Sequence, residues 1–243
     1  MTQLAASLPA PLGVAVIIGA GGGLGSALLT QLAASGVWAR VLGFSRNSVV
    51  PVDYSDESTL AHAALAVAQA CQQASAELRL LIVATGFLHG DAGQPERSFA
   101  NIDAAYLQQV FAVNTLGPAL VMKHFLPLMP KQARCVAGFL SARVGSIGDN
   151  ALGGWYGYRA SKSALNQLVK TASIELTRRN KQSICVALHP GTVATALSQP
   201  FAKTGLNVRP AQDAAGDLLR VLHGLQPADT GHLVDYQGQT LAF

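Results

Sequence analysis

Tyr158 and Lys162 stand four residues apart in Tyr158-Arg159-Ala160-Ser161-Lys162, at the start of a stretch with helical spacing. Residues i and i+4 share one face of a helix. A tyrosine titrates near pH 10 and exchanges protons poorly at neutrality. An ammonium beside it favours the phenolate and lowers that value. The pair therefore suits proton transfer to or from an oxygen held in front of it. Upstream, the apolar run Cys135–Leu140 ends on Ser141.

A second stretch, Val14 to Gly25, has the residues to hold an anion. Five apolar residues, Val14-Ala15-Val16-Ile17-Ile18, precede Gly19-Ala20-Gly21-Gly22-Gly23-Leu24-Gly25. The apolar run predicts a strand buried on both faces, and the leucines at 28, 29 and 32 predict a helix. Glycines let a phosphate approach the backbone without meeting a Cβ, and a helix start offers unpaired N–H groups. Gly19, Gly23, Leu24 and Gly25 are thus candidates for cradling a nucleotide pyrophosphate.

Alternating patterns supply the elements that must position these residues. Strands are predicted at 14–19, 38–44, 49–52, 79–84, 134–141, 183–189 and 231–235. Helices are predicted at 24–35, 56–75, 103–128, 157–179 and 211–224. Alternation of this kind argues for parallel β-α-β units. The expected fold is α/β: a single-domain doubly wound parallel sheet of Rossmann type, with helices on both faces. No linker or repeat divides residues 1–243. Residues 1–12 are expected to form a loose leader, because they lack the basic and apolar regions of a signal peptide. Pro118 follows Asn114 by four residues and has no N–H, so a kink with a freed Asn114 carbonyl is expected. Asp56 is placed to cap the helix that follows it.

Half of the 243 residues are apolar and 12% are charged, which supports a large core and argues against disorder. No apolar run reaches the length of a membrane span. The net charge of +4 comes from scattered basic residues. Arg178, Arg179 and Lys181 fall at a helix end, where cations suit the dipole, so no nucleic-acid partner is expected. Cys71, Cys135 and Cys185 are far apart in apolar segments and read as reduced thiols of a cytoplasmic protein. The six histidines have no metal-ligand spacing, so no metal is expected.

The glycine spacing G-x-x-x-G-x-G, the Tyr158-x-x-x-Lys162 pair, the kink-site Asn114 and the run Pro190-Gly191 with Thr195 together resemble the short-chain dehydrogenase/reductase family. The likeness runs from residue 14 to about 238. Gly145 to Asn150 and Gly153 to Tyr158 look most like its C-factor and sniffer-like branch. The resemblance implies that Tyr158 is the proton donor, that Lys162 tunes it and holds the nicotinamide ribose, and that Asn114 serves a proton relay. It implies that Gly86 passes near the ribose, and that Asp53 meets the adenine. It also implies that the loop with Pro190, Gly191, Val193 and Thr195 meets the nicotinamide, and that residues 196–209 form a mobile substrate lid.

The chain departs from the family pattern in three places. Ile18 stands where Thr is usual, and Val83-Ala84-Thr85-Gly86 replaces Asn-Asn-Ala-Gly. At the end of the fifth predicted strand, the family's second serine falls on Ala142. Three arrangements are open there: Ser141 faces the site, Ser146 enters from the loop, or no serine assists Tyr158.

No carboxylate ends the second strand, where an NAD-specific site has one. Ser45 and Arg46 stand there instead, and a guanidinium suits a 2′-phosphate. NADP(H) is therefore the expected cofactor, with NAD(H) as the alternative. The expected activity is reduction of a small carbonyl compound, or the reverse alcohol oxidation. Phe87, Leu88, Arg143, Leu152, Trp155, Val193 and Phe201 are expected to line the pocket, which suggests an apolar or aromatic substrate. The alternative is a nucleotide-binding regulatory protein of the same fold. A homodimer or homotetramer is expected from the apolar helices at 103–128 and 157–179, which carry Leu116, Leu120, Val121 and Phe125, and Leu165, Leu168, Val169 and Ala172.

Overall fold

The computed structural model describes residues 12–201 and 208–243. Most of the expected leader and residues 202–207 of the expected lid lie outside the described residues. Seven strands form one sheet: β1 (Val14–Ile18), β2 (Arg40–Phe44), β3 (Leu78–Val83), β4 (Cys135–Leu140), β5 (Ser183–His189), β8 (Leu233–Asp235) and β9 (Thr240–Leu241). Their order is β2-β1-β3-β4-β5-β8-β9. All neighbours are parallel except β9, which runs antiparallel to β8. A separate two-stranded ladder joins β6 (Thr192–Val193) to β7 (Val208–Arg209). It ties together the two ends of the 196–209 segment.

Six helices cover the sheet: α1 (Gly23–Ala34), α2 (Glu57–Gln73), α3 (Ala104–Phe111), α4 (Gly117–Phe125), α5 (Tyr156–Arg179) and α6 (Ala211–Gly224). Alternate residues of β1 serve the two faces. Val14, Val16 and Ile18 pack with Leu60, Val121 and Leu165, on the side of α2, α4 and α5. Ala15 and Ile17 pack with Leu28 and Leu218, on the side of α1 and α6. Burial on both faces explains why these strands are apolar without alternation. The doubly wound expectation is met. Asp56 caps α2 through Ser58 N at 3.0 Å, as expected. Arg179, at the end of α5, donates to the carbonyls of Pro127 and Met129.

Two expected elements differ. Residues 49–52 form no strand. Only residues 45–48 separate them from β2, and a parallel neighbour needs a crossover of about a dozen residues or more. The segment instead folds back as a turn, with Val52 N donating to Ser45 O and Ser48 Oγ to Val50 O. The expected helix 103–128 is divided by a π-helical turn, Ala112–Leu116, where Gly117 N donates to Ala112 O five residues back. Pro118 cannot serve the Asn114 carbonyl, so the chain widens by one residue there.

Candidate active site

One cavity of about 630 Å³ opens at the C-terminal ends of β1, β3, β4 and β5. In open parallel sheets this edge is where ligands bind. Tyr158 and Lys162 both line it from α5, on the shared face that their spacing predicts. Gly23, Leu24, Arg46, Gly86, Ser141, Pro190, Gly191, Val193 and Thr195 line the same cavity. Residues from six segments of the sequence thus meet at one place.

The glycine turn fits a phosphate cradle. Gly19 has φ +92°, and a Cβ there would lie 2.9 Å from the Ala84 carbonyl carbon. A Cβ on Gly25 would lie 2.1 Å from the Gly19 oxygen. These two glycines therefore hold the turn tight, while Gly22 and Gly23 face the cavity. Ser45 lies behind the turn, 3.3 Å from a Cβ built on Gly21. Arg46 is exposed at the cavity rim. Asp53 does not line the cavity. Its Oδ1 accepts from Ser55 N at 2.9 Å and Ser55 Oγ at 2.7 Å. These bonds hold its carboxyl below the ordinary value.

Asn114 is fully buried in the π turn and stands outside the cavity wall. Its amide accepts from Phe87 N and donates to Phe87 O, both at 2.8 Å, and also donates to Ser161 Oγ at 3.1 Å. One side chain therefore pins the loop after β3 to α5. Thr85, at a family-divergent position, bonds the Tyr54 hydroxyl at 2.9 Å. Tyr54 packs so closely on Gly117 that a Cβ there would lie 1.9 Å from its ring.

Burial dominates the ionisation of the central pair. It pushes the Tyr158 phenol up to about 12 and Lys162 down to about 7. Lys162 Nζ lies 5.8 Å from the Tyr158 ring centroid and donates to Leu140 O at 2.9 Å. Desolvation raises the phenol, and the expected lowering by its lysine does not accompany it. A phenol kept protonated can donate a proton.

Ser141 borders the cavity, but its hydroxyl donates to Oδ1 of Asn166 at 2.7 Å. The Asn166 amide nitrogen faces the Gly145 carbonyl at 3.3 Å, which fixes the amide orientation. The single proton of Ser141 is therefore directed into α5. Ala142 continues extended, with φ −152° and ψ 149°, and lines the cavity without a hydroxyl. Ser146 is buried outside the cavity wall and accepts from Asp149 N.

Apolar groups form much of the rest of the wall. Trp155 stacks edge-on against Tyr158 at 6.0 Å and against Phe201 at 5.3 Å. Leu197 and Phe201, from the described part of the 196–209 segment, line the cavity with Phe87, Leu88 and Val144. His89 bonds Ala196 O at 3.0 Å and holds that segment down.

Sequence reasoning missed Glu96, Asn166 and His189. Asn166 lies four residues beyond Lys162 on the same helical stripe, which was the available signal. His189 lines the cavity, its Nδ1 is buried without a partner among the described residues, and burial pushes its pKa down to about 4.

A family model described as short chain dehydrogenase matches residues 13–205. The C-signal of Myxococcus xanthus is 37% identical over 141 residues, covering 58% of this chain and 81% of that protein. The 1-hydroxy-2-glutathionyl-2-methyl-3-butene dehydrogenase of Rhodococcus sp. (strain AD45) is 34% identical over 142 residues, which is 60% of its length. Among solved structures, an NADPH-bound carbonyl reductase from chicken fatty liver superposes with a TM-score of 0.81 and 25% identity. That match covers 96% of this chain and 100% of the other. Carbonyl reductase Sniffer of D. melanogaster also has a TM-score of 0.81, over 96% of this chain and 100% of its own, and at 22% identity it supports the fold. The chain belongs to the short-chain dehydrogenase/reductase family of oxidoreductases.

Proposed function

We propose that the protein is an NADPH-dependent reductase of small, largely apolar or aromatic carbonyl compounds, acting in the cytoplasm. The observation that carries this reading is the convergence of Tyr158, Lys162, Arg46 and the Gly22–Gly23 turn on one cavity. Bound NADPH supplies the hydride. The glycine turn and the α1 N-terminus would hold the pyrophosphate, and Arg46 would meet the 2′-phosphate. Lys162, Gly86, Pro190, Gly191, Val193 and Thr195 would hold the nicotinamide end, and Asp53, outside the cavity wall, would meet the adenine. Tyr158 gives its proton to the carbonyl oxygen. Burial keeps the phenol protonated throughout the neutral range, which is the form a proton donor needs. Asn114 keeps the Phe87 loop in place beside the relay to Lys162. The aromatic wall of Trp155, Phe87 and Phe201 suits a flat apolar substrate.

A second reading is a nucleotide-binding signalling protein with weak catalysis. The likeness to the C-signal and the absence of a free serine hydroxyl favour it. NADPH oxidation with a panel of ketones, aldehydes and quinones separates the two. We expect turnover of at least one apolar carbonyl. Tyr158→Phe is expected to abolish that turnover and leave NADPH affinity within about threefold, since only the acid is lost. A Phe variant with wild-type turnover overturns the mechanism.

A further inference from the structure

We propose that Glu96 is a positioning residue for Tyr158: its buried side chain docks the loop after β3 onto the first turn of α5. The first N–H groups of a helix need partners from outside it. At α5 the local sequence supplies none. The residues before it are Gly153, Gly154 and Trp155, and Trp155 makes no side-chain cap and adopts a left-handed φ of 53°. The first turn has no acidic residue of its own.

The partner comes from 61 positions away. Both carboxylate oxygens of Glu96 lie 3.1 Å from Gly157 N. The Glu96 backbone carbonyl accepts from Trp155 N at 2.6 Å. Glu96 is only 2% exposed, and among the described residues no Lys, Arg or His forms an ion pair with it. Burying a charge without a partner is costly. Here the compensation is the positive end of a 24-residue helix. Gly157 permits the approach, since a Cβ there would lie 3.0 Å from Glu96 Oε1 and 2.8 Å from Leu107 Cδ2.

The next residue is Tyr158. The loop that carries Glu96 begins at Phe87, held by Asn114, and Leu88, whose carbonyl accepts from Tyr106 Oη at 2.8 Å. One loop therefore builds the substrate wall at one end and sets the catalytic helix at the other. The glycine turn and Arg46, which would hold the phosphates, belong to other elements, so most of the cofactor's binding contacts do not depend on Glu96.

Glu96→Ala and Glu96→Gln test this. The turnover arm rests on the proposed reductase reading; a hydrogen-exchange arm does not. In Glu96→Ala, the Gly157 and Tyr158 amides are expected to exchange at least about tenfold faster than in the wild type. Turnover is expected to fall about tenfold or more, because small displacements of a reacting group are costly. NADPH Kd and carbonyl KM should stay within about threefold. Glu96→Gln keeps one oxygen for Gly157 N and is expected to recover much of the protection and the turnover. It also serves if the alanine variant fails to fold. Unchanged exchange at Gly157 and Tyr158 overturns the proposal. So does a loss of NADPH affinity that matches the loss of kcat, which marks a general structural role. If the wild type reduces no carbonyl, the reductase reading fails, and the exchange result still decides the positioning of Tyr158.

Discussion

A hydroxyl has one proton, and at Ser141 that proton goes to Asn166. The sequence left three arrangements open for a serine, and alternation along the strand decides how they are met. Ser141 points towards α5, so Ala142, the next extended residue, takes the cavity side. We expect Ser141→Ala to change kcat by less than about threefold while lowering stability by about 1–3 kcal/mol, because Asn166 Oδ1 loses its donor in a buried site. Ala142→Ser is expected to raise kcat. One added donor to a developing oxyanion is worth as much as about 2.7–4 kcal/mol where such donors have been removed from other enzymes. Steady-state kinetics and thermal melts of the two variants check this. A hundredfold loss of kcat in Ser141→Ala restores Ser141 as the donor to substrate. Tyr158 and Lys162 were legible because their relation is local, four residues on one helix. Glu96 and Asn166 were not, because their partners lie 61 and 25 positions away, and no local pattern encodes such pairings.

At the scale of elements, sequence patterns identified all six strands of the parallel core, and periodicity identified the helices. Residues 49–52 misled because Val49-Val50-Pro51-Val52 has strand composition, whereas the connection before it is too short for a parallel crossover. Pro118 signalled an irregular helix, and the structure gives its form, a π turn that holds Asn114, whose amide reaches Phe87. The short connection after β2 also has a functional consequence. It holds Arg46 at the cavity rim, immediately after Ser45, which is the place we propose for a 2′-phosphate. Because Arg46 is exposed, its contact should fall at the weak end of charge-assisted hydrogen bonds, about 1.5 kcal/mol, or roughly tenfold in affinity. Arg46→Ala is expected to weaken NADPH by about that factor and to leave NADH nearly unchanged. Fluorescence titration of both cofactors measures it. Equal wild-type affinities for NADPH and NADH overturn the proposed preference.

For the whole molecule, the apolar surface left on α4 and α5 decides whether it stands alone. The sequence offered eight residues for an interface between copies. Four of them, Val121, Phe125, Leu165 and Val169, are fully buried within the chain against the sheet. They are core residues, and their apolar character reflects a buried helix face. What remains is narrower. Leu116 is 60% exposed at the π turn, and Ile174 is 46% exposed on α5. Leu120, Leu168 and Ala172 are half-buried beside them in sequence. Leu168 and Ala172 are four residues apart and share a stripe, as a helix-helix contact requires. Single exposed apolar residues are ordinary, but we propose that these neighbouring apolar residues of the π turn, α4 and α5 form an interface with a second copy. We expect a dimer or tetramer by light scattering at micromolar concentration. Leu116→Glu would place a charge in that contact and is expected to shift the population towards monomer, while leaving the thermal melt of the monomer core intact, since Leu116 packs little within its own chain. A wild-type monomer, or a Leu116→Glu variant that assembles as the wild type does, overturns this interface.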